Sequence, residues 1–211
     1  MIDLHSHTFF SDGELVAAEQ ARRAEVAGVE VLGITDHADA SNVEEAVERA
    51  QRGKETASID VLAGVEVTHV PPAKYADVVD RARDAGADIV VAHGETPVEP
   101  VPEGTNRAAV EAGVDLIGHP GAISEEVAAM AAERGVALEL TARRGHALAN
   151  GHVAAVARDV GATLLVNTDA HHPRDFITTE RAREVARLAG CSEEEAERIV
   201  DENPHSLIDA L

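Results

Sequence analysis

Hydrophobic residues follow two alternating patterns along the chain. Short apolar runs of strand length are each followed by a longer Ala-, Glu- and Arg-rich segment with apolar residues at helical spacing. The short runs predict strands at Ile2–His5, Val29–Thr35, Asp60–Val65, Asp88–Ala92, Val114–Gly118, Ala137–Leu140 and Thr163–Asn167. The longer segments predict helices at Glu14–Ala27, Val43–Thr56, Tyr75–Ala85, Thr105–Ala112, Glu125–Arg134, Gly151–Val160, Thr179–Leu188 and Ser192–Asp201. This alternation is typical of βα units that build a parallel sheet.

Glycines mark the ends of several predicted helices, directly before the next strand. They are Gly28, Gly86, Gly113, Gly135 and Gly161. Glycine enters the left-handed conformation that often ends a helix without a Cβ penalty. No Pro-, Gly- or Ser-rich linker divides the chain, so residues 1–211 are predicted to form one α/β domain.

Polar residues stand where the predicted strands end. In chain order, the strands run into His5-Ser6-His7, Asp36-His37, Glu66, His93, His119, Arg143-Arg144 and Asp169-Ala170-His171. Because the carboxyl ends of parallel strands meet at one mouth, we expect these side chains to face each other. His5 and His7 project from the same face of a strand and can reach one cation. A mixed imidazole and carboxylate set favours zinc, manganese or iron over magnesium or calcium, and one carboxylate such as Glu66 can bridge two metals.

The composition of the chain limits which molecules it is expected to bind. The 211 residues carry 39 acidic and 18 basic side chains, a formal charge of −21. This field repels nucleic acid and anionic membranes, so an anionic substrate requires a local positive site. Aromatic residues make up only 2% of the chain, which gives little scope for base stacking. Cys191 is the one cysteine, which excludes an intramolecular disulfide, and no apolar run suits a signal peptide or a membrane span. We therefore expect a cytoplasmic protein.

Seven short motifs, in this order, resemble those of the PHP (polymerase and histidinol phosphatase) family. They are His5-Ser6-His7-Thr8, Ser11-Asp12-Gly13, Thr35-Asp36-His37, Gly64-Val65-Glu66, His93-Gly94, Gly118-His119-Pro120 and Asp169-Ala170-His171. Each motif alone is weak, but the ordered set, from residue 2 to about residue 173, is highly specific. The resemblance implies a distorted (β/α)7 TIM-like barrel with two or three divalent metal ions (Zn, Mn or Fe) at its mouth.

The resemblance also implies a role for each matching residue. His5, His7, Glu66 and Asp169 would hold a first metal, Glu66, His93 and His119 a second, and Asp12, His37 and His171 a third. The implied reaction is hydrolysis of a phosphate ester by a metal-activated hydroxide, most specifically of a small phosphomonoester, as in histidinol phosphate phosphatases. Glu66 and Asp169 belong to the catalytic set, and Arg143 and Arg144 are expected to grip the phosphate.

Other polar residues receive weaker assignments. Asp36 is expected to orient an imidazole without binding metal. His69, His146 and His172 lie close enough to the ligands in sequence to reach substrate. His152 and His205 are expected to be structural or surface residues, with His205 in a C-terminal tail.

Three other functions compete with the leading one. A phosphodiesterase or 3'-5' exonuclease exists within the family, although the charge opposes binding of a nucleic acid strand. An amidohydrolase also begins with His-x-His on a barrel strand but usually needs a carbamylated lysine at a strand end, and neither Lys54 nor Lys74 stands there. A non-catalytic metal-binding domain is the third, and retention of every ligand-type position argues against it.

Overall fold

The strands of the barrel are rich in Val, Leu and Ile. This composition suits parallel strands, which are buried on both faces. The computed structural model describes residues 1–211. In chain order, its strands are β1 (Ile2–Asp3), β2 (Val31–Ile34), β3 (His37–Ala38), β4 (Asp60–Val67), β5 (Ile89–His93), β6 (Leu116–Gly118), β7 (Ala137–Thr141) and β8 (Leu164–Asn167). The short β3 follows β2 directly and pairs with the end of β4.

Helices pack on the outside of these strands. They are α1 (Ala17–Ala27), α2 (Val43–Lys54), α3 (Tyr75–Asp84), α4 (Thr105–Ala112), α5 (Glu125–Arg134), α6 (Asn150–Val160), α7 (Thr179–Leu188), α8 (Glu193–Glu197) and α9 (Asn203–Ile208). Each of the five predicted glycines after a helix has positive φ, from 74° to 91°. No helix combines the length and the apolar character that crossing a membrane requires.

The sheet runs in the order β1-β2-β4-β5-β6-β7-β8, and every strand pair is parallel. Its two edges meet at a parallel bridge between Ser6 and Ala170, and the backbone N–H of Leu4 donates to Asn167 Oδ1 over 2.8 Å. The result is a nearly closed barrel of seven strand positions. This confirms the predicted distorted (β/α)7 fold.

The side chains that face the barrel interior change from apolar to polar or ionisable toward the end of the strands. Ile89, Val91 and His93 share one face of β5; the first two join the inner apolar cluster, and the last stands at the mouth. Leu165 and Asn167 follow the same order on β8. Leu207 from α9 also packs into the inner cluster. The alternating pattern therefore fills one end of the barrel with hydrocarbon and the other with ionisable groups.

The clearest differences from the prediction lie at helix α1 and in the C-terminal helices. Helix α1 begins at Ala17 instead of Glu14, because the Glu14 N–H donates to the carbonyl of His171 over 2.8 Å and ties this segment to the mouth. The predicted helix Ser192–Asp201 is interrupted after Glu197 by a π-helical turn, Arg198–Glu202. The chain then continues into α9, so the assignment of His205 to a tail was wrong: it lies on a helix, although it is exposed.

Candidate metal centre

The strand ends bring all nine predicted ligands together at the mouth. Close groups of ligand atoms are formed by His5, His7 and Glu66; by His5, His119 and Asp169; by Glu66, His93 and His119; and by His7, Asp12, His37 and His171. Within each group the atoms lie within 4.8 Å of one another, close enough to share a cation. We call His5, His7, Glu66, His93, His119 and Asp169 the inner half of the centre, and Asp12, His37 and His171 the outer half.

Glu66 lies at the middle of the inner half. Its Oε1 is 3.2 Å from His5 Nε2 and 3.4 Å from His119 Nε2, and its Oε2 is 2.7 Å from His37 Nδ1. Asp169 faces the same histidines, with Oδ1 3.2 Å from His7 Nε2. Glu66 therefore faces histidines that the family motifs assign to different metals, as a carboxylate shared between metals would.

The outer half is closer to solvent. Asp12 Oδ1 lies 3.1 Å from His171 Nε2 and 3.5 Å from His37 Nε2. The side chain of Asp12 is 52% exposed and that of His37 is 27% exposed, whereas His5 and Glu66 have no exposed surface. The stacked rings of His7 and His171, 4.2 Å apart, connect the two halves.

The buried polar atoms of the inner half fit a metal. His5 Nε2, both ring nitrogens of His7 and Glu66 Oε1 are buried without a hydrogen-bond partner. Such atoms are costly when unpaired, and nearly all buried polar groups in proteins have a partner. A divalent cation could bind one nitrogen of each imidazole together with Glu66 Oε1, and imidazole nitrogen with carboxylate oxygen is the donor set of zinc, manganese and iron sites.

The backbone at the mouth is strained. Only three residues other than glycine have positive φ, namely His69 at 52°, His119 at 30° and Asp169 at 51°. This region is unfavourable for residues with a Cβ and occurs where surrounding structure enforces it, often at functional sites. Two of the three are predicted ligands, and the third lies beside His93, with ring centroids 4.9 Å apart.

The charges of the centre are mutually dependent. Burial opposes the charged form of His5, but the carboxylates of Glu139, Glu66 and Asp169 raise its pKa well above the ordinary value. Burial also opposes ionisation of Glu66, yet nearby His5, His93 and His37 hold its pKa well below its usual range. For His37, burial is again outweighed by Glu66 and Asp12, and the pKa rises to about 10. Without metal, His5 and His37 therefore hold protons, and metal binding must displace these protons.

Glu139 is a functional residue that the sequence reasoning missed. It lies in the middle of β7, fully buried, and its Oε2 lies 2.7 Å from His5 Nδ1. Its Oε1 accepts the backbone N–H of His119 over 3.3 Å. A carboxylate on the remote nitrogen of a ligand histidine fixes ring orientation and raises its basicity. The signal was available, since Glu139 is the one charged residue inside the strand predicted at Ala137–Leu140.

The predicted role of Asp36 was wrong. Its carboxylate accepts the backbone N–H and hydroxyl of Thr8 over 2.7 and 2.6 Å and the hydroxyl of Ser11 over 2.6 Å. It therefore holds the loop that carries Asp12 and contacts no imidazole. His37 is oriented instead by Thr68, whose hydroxyl lies 2.8 Å from His37 Nδ1.

The two arginines after β7 point in different directions. Arg143 Nη1 donates to the carbonyl of Asp169 over 3.1 Å, and its Nε lies 3.5 Å from Asp169 Oδ2. Arg144 is exposed and lines a cavity beside the centre without an ion-pair partner. Arg143 thus reaches the metal centre, while Arg144 belongs to its rim. Their expected grip on phosphate remains a prediction.

The other histidines divide as follows. His69 joins His93 and Glu99 in a further set of ligand-type atoms, with Glu99 Oε2 3.0 Å from His93 Nε2 and 3.6 Å from His69 Nε2. His146 is buried with its ring 4.4 Å from that of His119. His172 is exposed beside Glu14. The ring of His152 lies 2.7 Å from the carbonyl of Ile123, away from the ligands, as a structural role predicts.

Comparison with known proteins identifies the family. The PHP domain matches residues 3–159. An uncharacterized protein of Methanocaldococcus jannaschii is 45% identical over 98% of this chain and 97% of its own length. A probable phosphatase of Shewanella sp. (strain ANA-3) is 26% identical over 100% of this chain and 90% of its own length.

Solved structures support the fold. A chain of an archaeal ribonuclease P structure with mature tRNA superposes with a TM-score of 0.71 at 17% identity, over 98% of this chain and 90% of that one. At this identity the likeness concerns the fold alone. The family match and the phosphatase relative agree with the metal-dependent phosphoesterase that the motifs imply. On the match over residues 3–159, the chain belongs to the PHP domain family.

Proposed function

We propose that this protein hydrolyses a small phosphomonoester in a reaction that depends on two or three divalent metal ions held by the nine ligands. The observation that carries the proposal is the convergence of His5 Nε2 and His7 Nε2, both buried without a hydrogen-bond partner, on the carboxylate of Glu66. Family membership and the probable phosphatase relative support the reaction class. The choice of a monoester rests on the charge of −21, which opposes binding of a long polyanion.

The proposed ligand assignment is the one that the family motifs imply, and the groups of close atoms overlap with it. His5, His7, Glu66 and Asp169 would hold one ion, Glu66, His93 and His119 a second, and Asp12, His37 and His171 a third. Bound divalent ions supply Lewis acidity toward the phosphoryl oxygens and lower the pKa of water. The residues' own contribution is orientation: Glu139 holds His5, and Thr68 holds His37.

Arg143 is the residue proposed to contact the phosphate. Its guanidinium lies beside Asp169 and is 27% exposed, so it can reach both the ligand shell and an entering anion. A fixed guanidinium next to the site can stabilise charge that develops on the equatorial phosphoryl oxygens. The two carboxylates near it, Asp169 and Asp175, hold it in place.

The amidohydrolase alternative lacks its lysine. Lys54 Nζ lies 2.7 Å from Asp88 Oδ2, at the end of the barrel where β5 begins, and Lys74 ends the 3-10 helix Pro72–Lys74 on the surface. Neither can supply a carbamate bridge at the mouth. Glu66, which belongs to two groups of close ligand atoms, would take the bridging place instead.

The test is metal content and turnover measured on the same preparation. Mass spectrometry of protein purified without added metal should find two or three equivalents of Zn, Mn or Fe. Release of phosphate from a panel of monoesters should stop with a chelator and return when metal is added. Bound metal with hydrolysis of diesters only would overturn the choice of monoester, and failure to bind metal after reconstitution would overturn the proposal as a whole.

A further inference from the structure

A second cavity opens beside the metal centre and is unusually rich in arginine. It has a volume of about 610 Å³, and its wall includes Arg143, Arg144, Arg174 and Arg181. The first two follow β7, Arg174 follows β8, and Arg181 stands in the first turn of α7. In a chain with 39 acidic and 18 basic residues, four arginines around one cavity are a strong local reversal of charge.

This cavity adjoins the metal centre. Arg143 lines it and also donates to the carbonyl of Asp169 over 3.1 Å. His146 lines it too, and its ring lies 4.4 Å from that of His119. A molecule bound at the metals can therefore extend into this cavity without leaving the protein surface.

Two of these arginines have no acidic partner. Ion pairs bind most arginines of the chain to a carboxylate, as in Arg81 with Glu44 and Arg183 with Asp201. The arginines without such a pair are Arg134, Arg144, Arg174 and Arg198, and Arg134 donates to two backbone carbonyls instead. Arg144 and Arg174 both line this cavity. The positive charge that the protein leaves unneutralised is thus concentrated here.

The one carboxylate in the wall is already engaged. Asp175 Oδ2 accepts the backbone N–H groups of His171 and His172, each over 2.9 Å, and lies 3.6 Å from Arg143 Nη1. It offsets Arg143 and leaves Arg144 and Arg174 free. The remaining wall includes Ala142, Ile177 and Val185, an apolar surface suited to a carbon skeleton.

We infer that the natural substrate carries a second anionic group, a phosphate or a carboxylate, which Arg144 and Arg174 bind while the phosphate to be hydrolysed lies at the metals. This inference rests on the proposed function and specifies its substrate class. Guanidinium groups bind such anions through paired N–H donors, and two unpaired guanidinium groups at one cavity provide this recognition. The overall negative field would then reject anions that cannot reach the arginines.

Binding can be measured without turnover. Alkane bisphosphonates from ethane to hexane, which cannot be hydrolysed, are compared by calorimetry with the monophosphonates of the same length on metal-loaded protein. At the chain length that spans the two sites, the bisphosphonate should bind at least about tenfold tighter, a gain of about 1.4 kcal/mol. Arg174→Ala should remove most of this gain, and Arg174→Lys should retain part of it.

Arg198→Ala is the matched control. Arg198 also lacks an acidic partner and is exposed, but it lines a different cavity between α6 and the C-terminal helices. Its removal takes away the same charge and should leave the gain intact. Equal binding of mono- and bisphosphonates at every length would overturn the inference, as would an equal loss in the Arg174 and Arg198 variants, which would reflect net charge alone.

Hydrolysis of the matching alkanediol phosphates separates this inference from the proposed function. Faster hydrolysis of the bisphosphates than of the monophosphates, lost in Arg174→Ala, supports both. Hydrolysis of both series at equal rates would overturn the second anion site and leave the phosphomonoesterase standing. No hydrolysis of either series, with the bisphosphonate gain still present, would overturn the monoesterase proposal while the anion site stands.

Discussion

The inner and outer halves of the centre contain the same chemical groups in different surroundings. His5, Glu66 and Asp169 are sealed from water, whereas Asp12 and His37 keep part of their side chains exposed. A buried charge without a partner costs several kcal/mol, while an exposed one is solvated. We therefore expect the inner half to depend on bound metal for stability as well as chemistry. We expect the outer half to gain and lose an ion with little effect on the fold.

The largest expected effect is that of Glu66→Ala. This change removes the carboxylate that faces His5, His119 and His37, so metal content should fall in both halves. We expect turnover to drop on the order of 10³-fold, the scale for losing a main charge-stabilising group. Metal analysis and phosphate release measure the result. Near-normal activity with full metal content would remove Glu66 from the bridging position.

Asp12→Ala should affect the outer half alone. The protein should lose one metal equivalent at limiting metal, and kcat/KM should fall about ten- to a hundredfold, the range typical of ligand-shell changes. Because Asp12 is half exposed, the fold should be unaffected. Mass spectrometry of the retained metals provides the check. Loss of every equivalent would show that the halves do not bind independently.

Glu139→Gln tests how far the carboxylate that contacts His5 supports metal binding by the inner half. The amide oxygen can still accept a hydrogen bond from His5 Nδ1, but the negative charge is gone. Metal affinity of the inner half should fall about tenfold, the low end for a partner of a ligand histidine. Chelator titration measures this, with the exposed Glu30→Gln as the control. Unchanged affinity would reduce Glu139 to a structural residue.

The pH dependence of metal binding tests the outer half. In the metal-free protein the pKa of His37 is raised to about 10, so at lower pH this ring is protonated and a metal must displace its proton. Affinity of the outer half should rise with pH up to about 10, by about tenfold per pH unit for one proton. A flat profile would contradict the assignment of His37 to the outer site.

The smallest effect is expected for Gly118→Ala. A Cβ there would lie 2.6 Å from Cε1 of His5, so the ring or strand must shift. Overpacking of this kind costs about 1–3 kcal/mol of folding free energy, measured by denaturant unfolding. Gly151→Ala is the control, because its nearest neighbour, the carbonyl oxygen of Ala189, is 3.9 Å away. Equal stability of the two variants would show that the inner half tolerates movement of His5.

The sequence by itself determined the architecture and the ligands. Alternating apolar runs, glycines after the helices and polar residues at the strand ends predicted a parallel βα fold, and the family motifs implied the barrel and the nine residues that converge at its mouth. These features are local, because strand and helix periods and left-handed glycines depend on a few neighbouring residues. The βα pattern then implies that all strand ends lie at one mouth.

Only the tertiary structure decided the supporting contacts. Glu139 reaches His5 across 134 positions, and Arg174 shares a cavity with Arg144 although they lie on different loops. The tertiary structure also placed the Asp36 carboxylate against Thr8 instead of an imidazole. It gave Arg143 a contact with Asp169 that Arg144 lacks. Side-chain directions at the mouth depend on the shear and closure of the whole barrel, which no local pattern encodes. For that reason the motifs predicted the nine candidate metal-binding residues, whereas the unpaired Arg144 and Arg174 beside them could be found only in the folded structure.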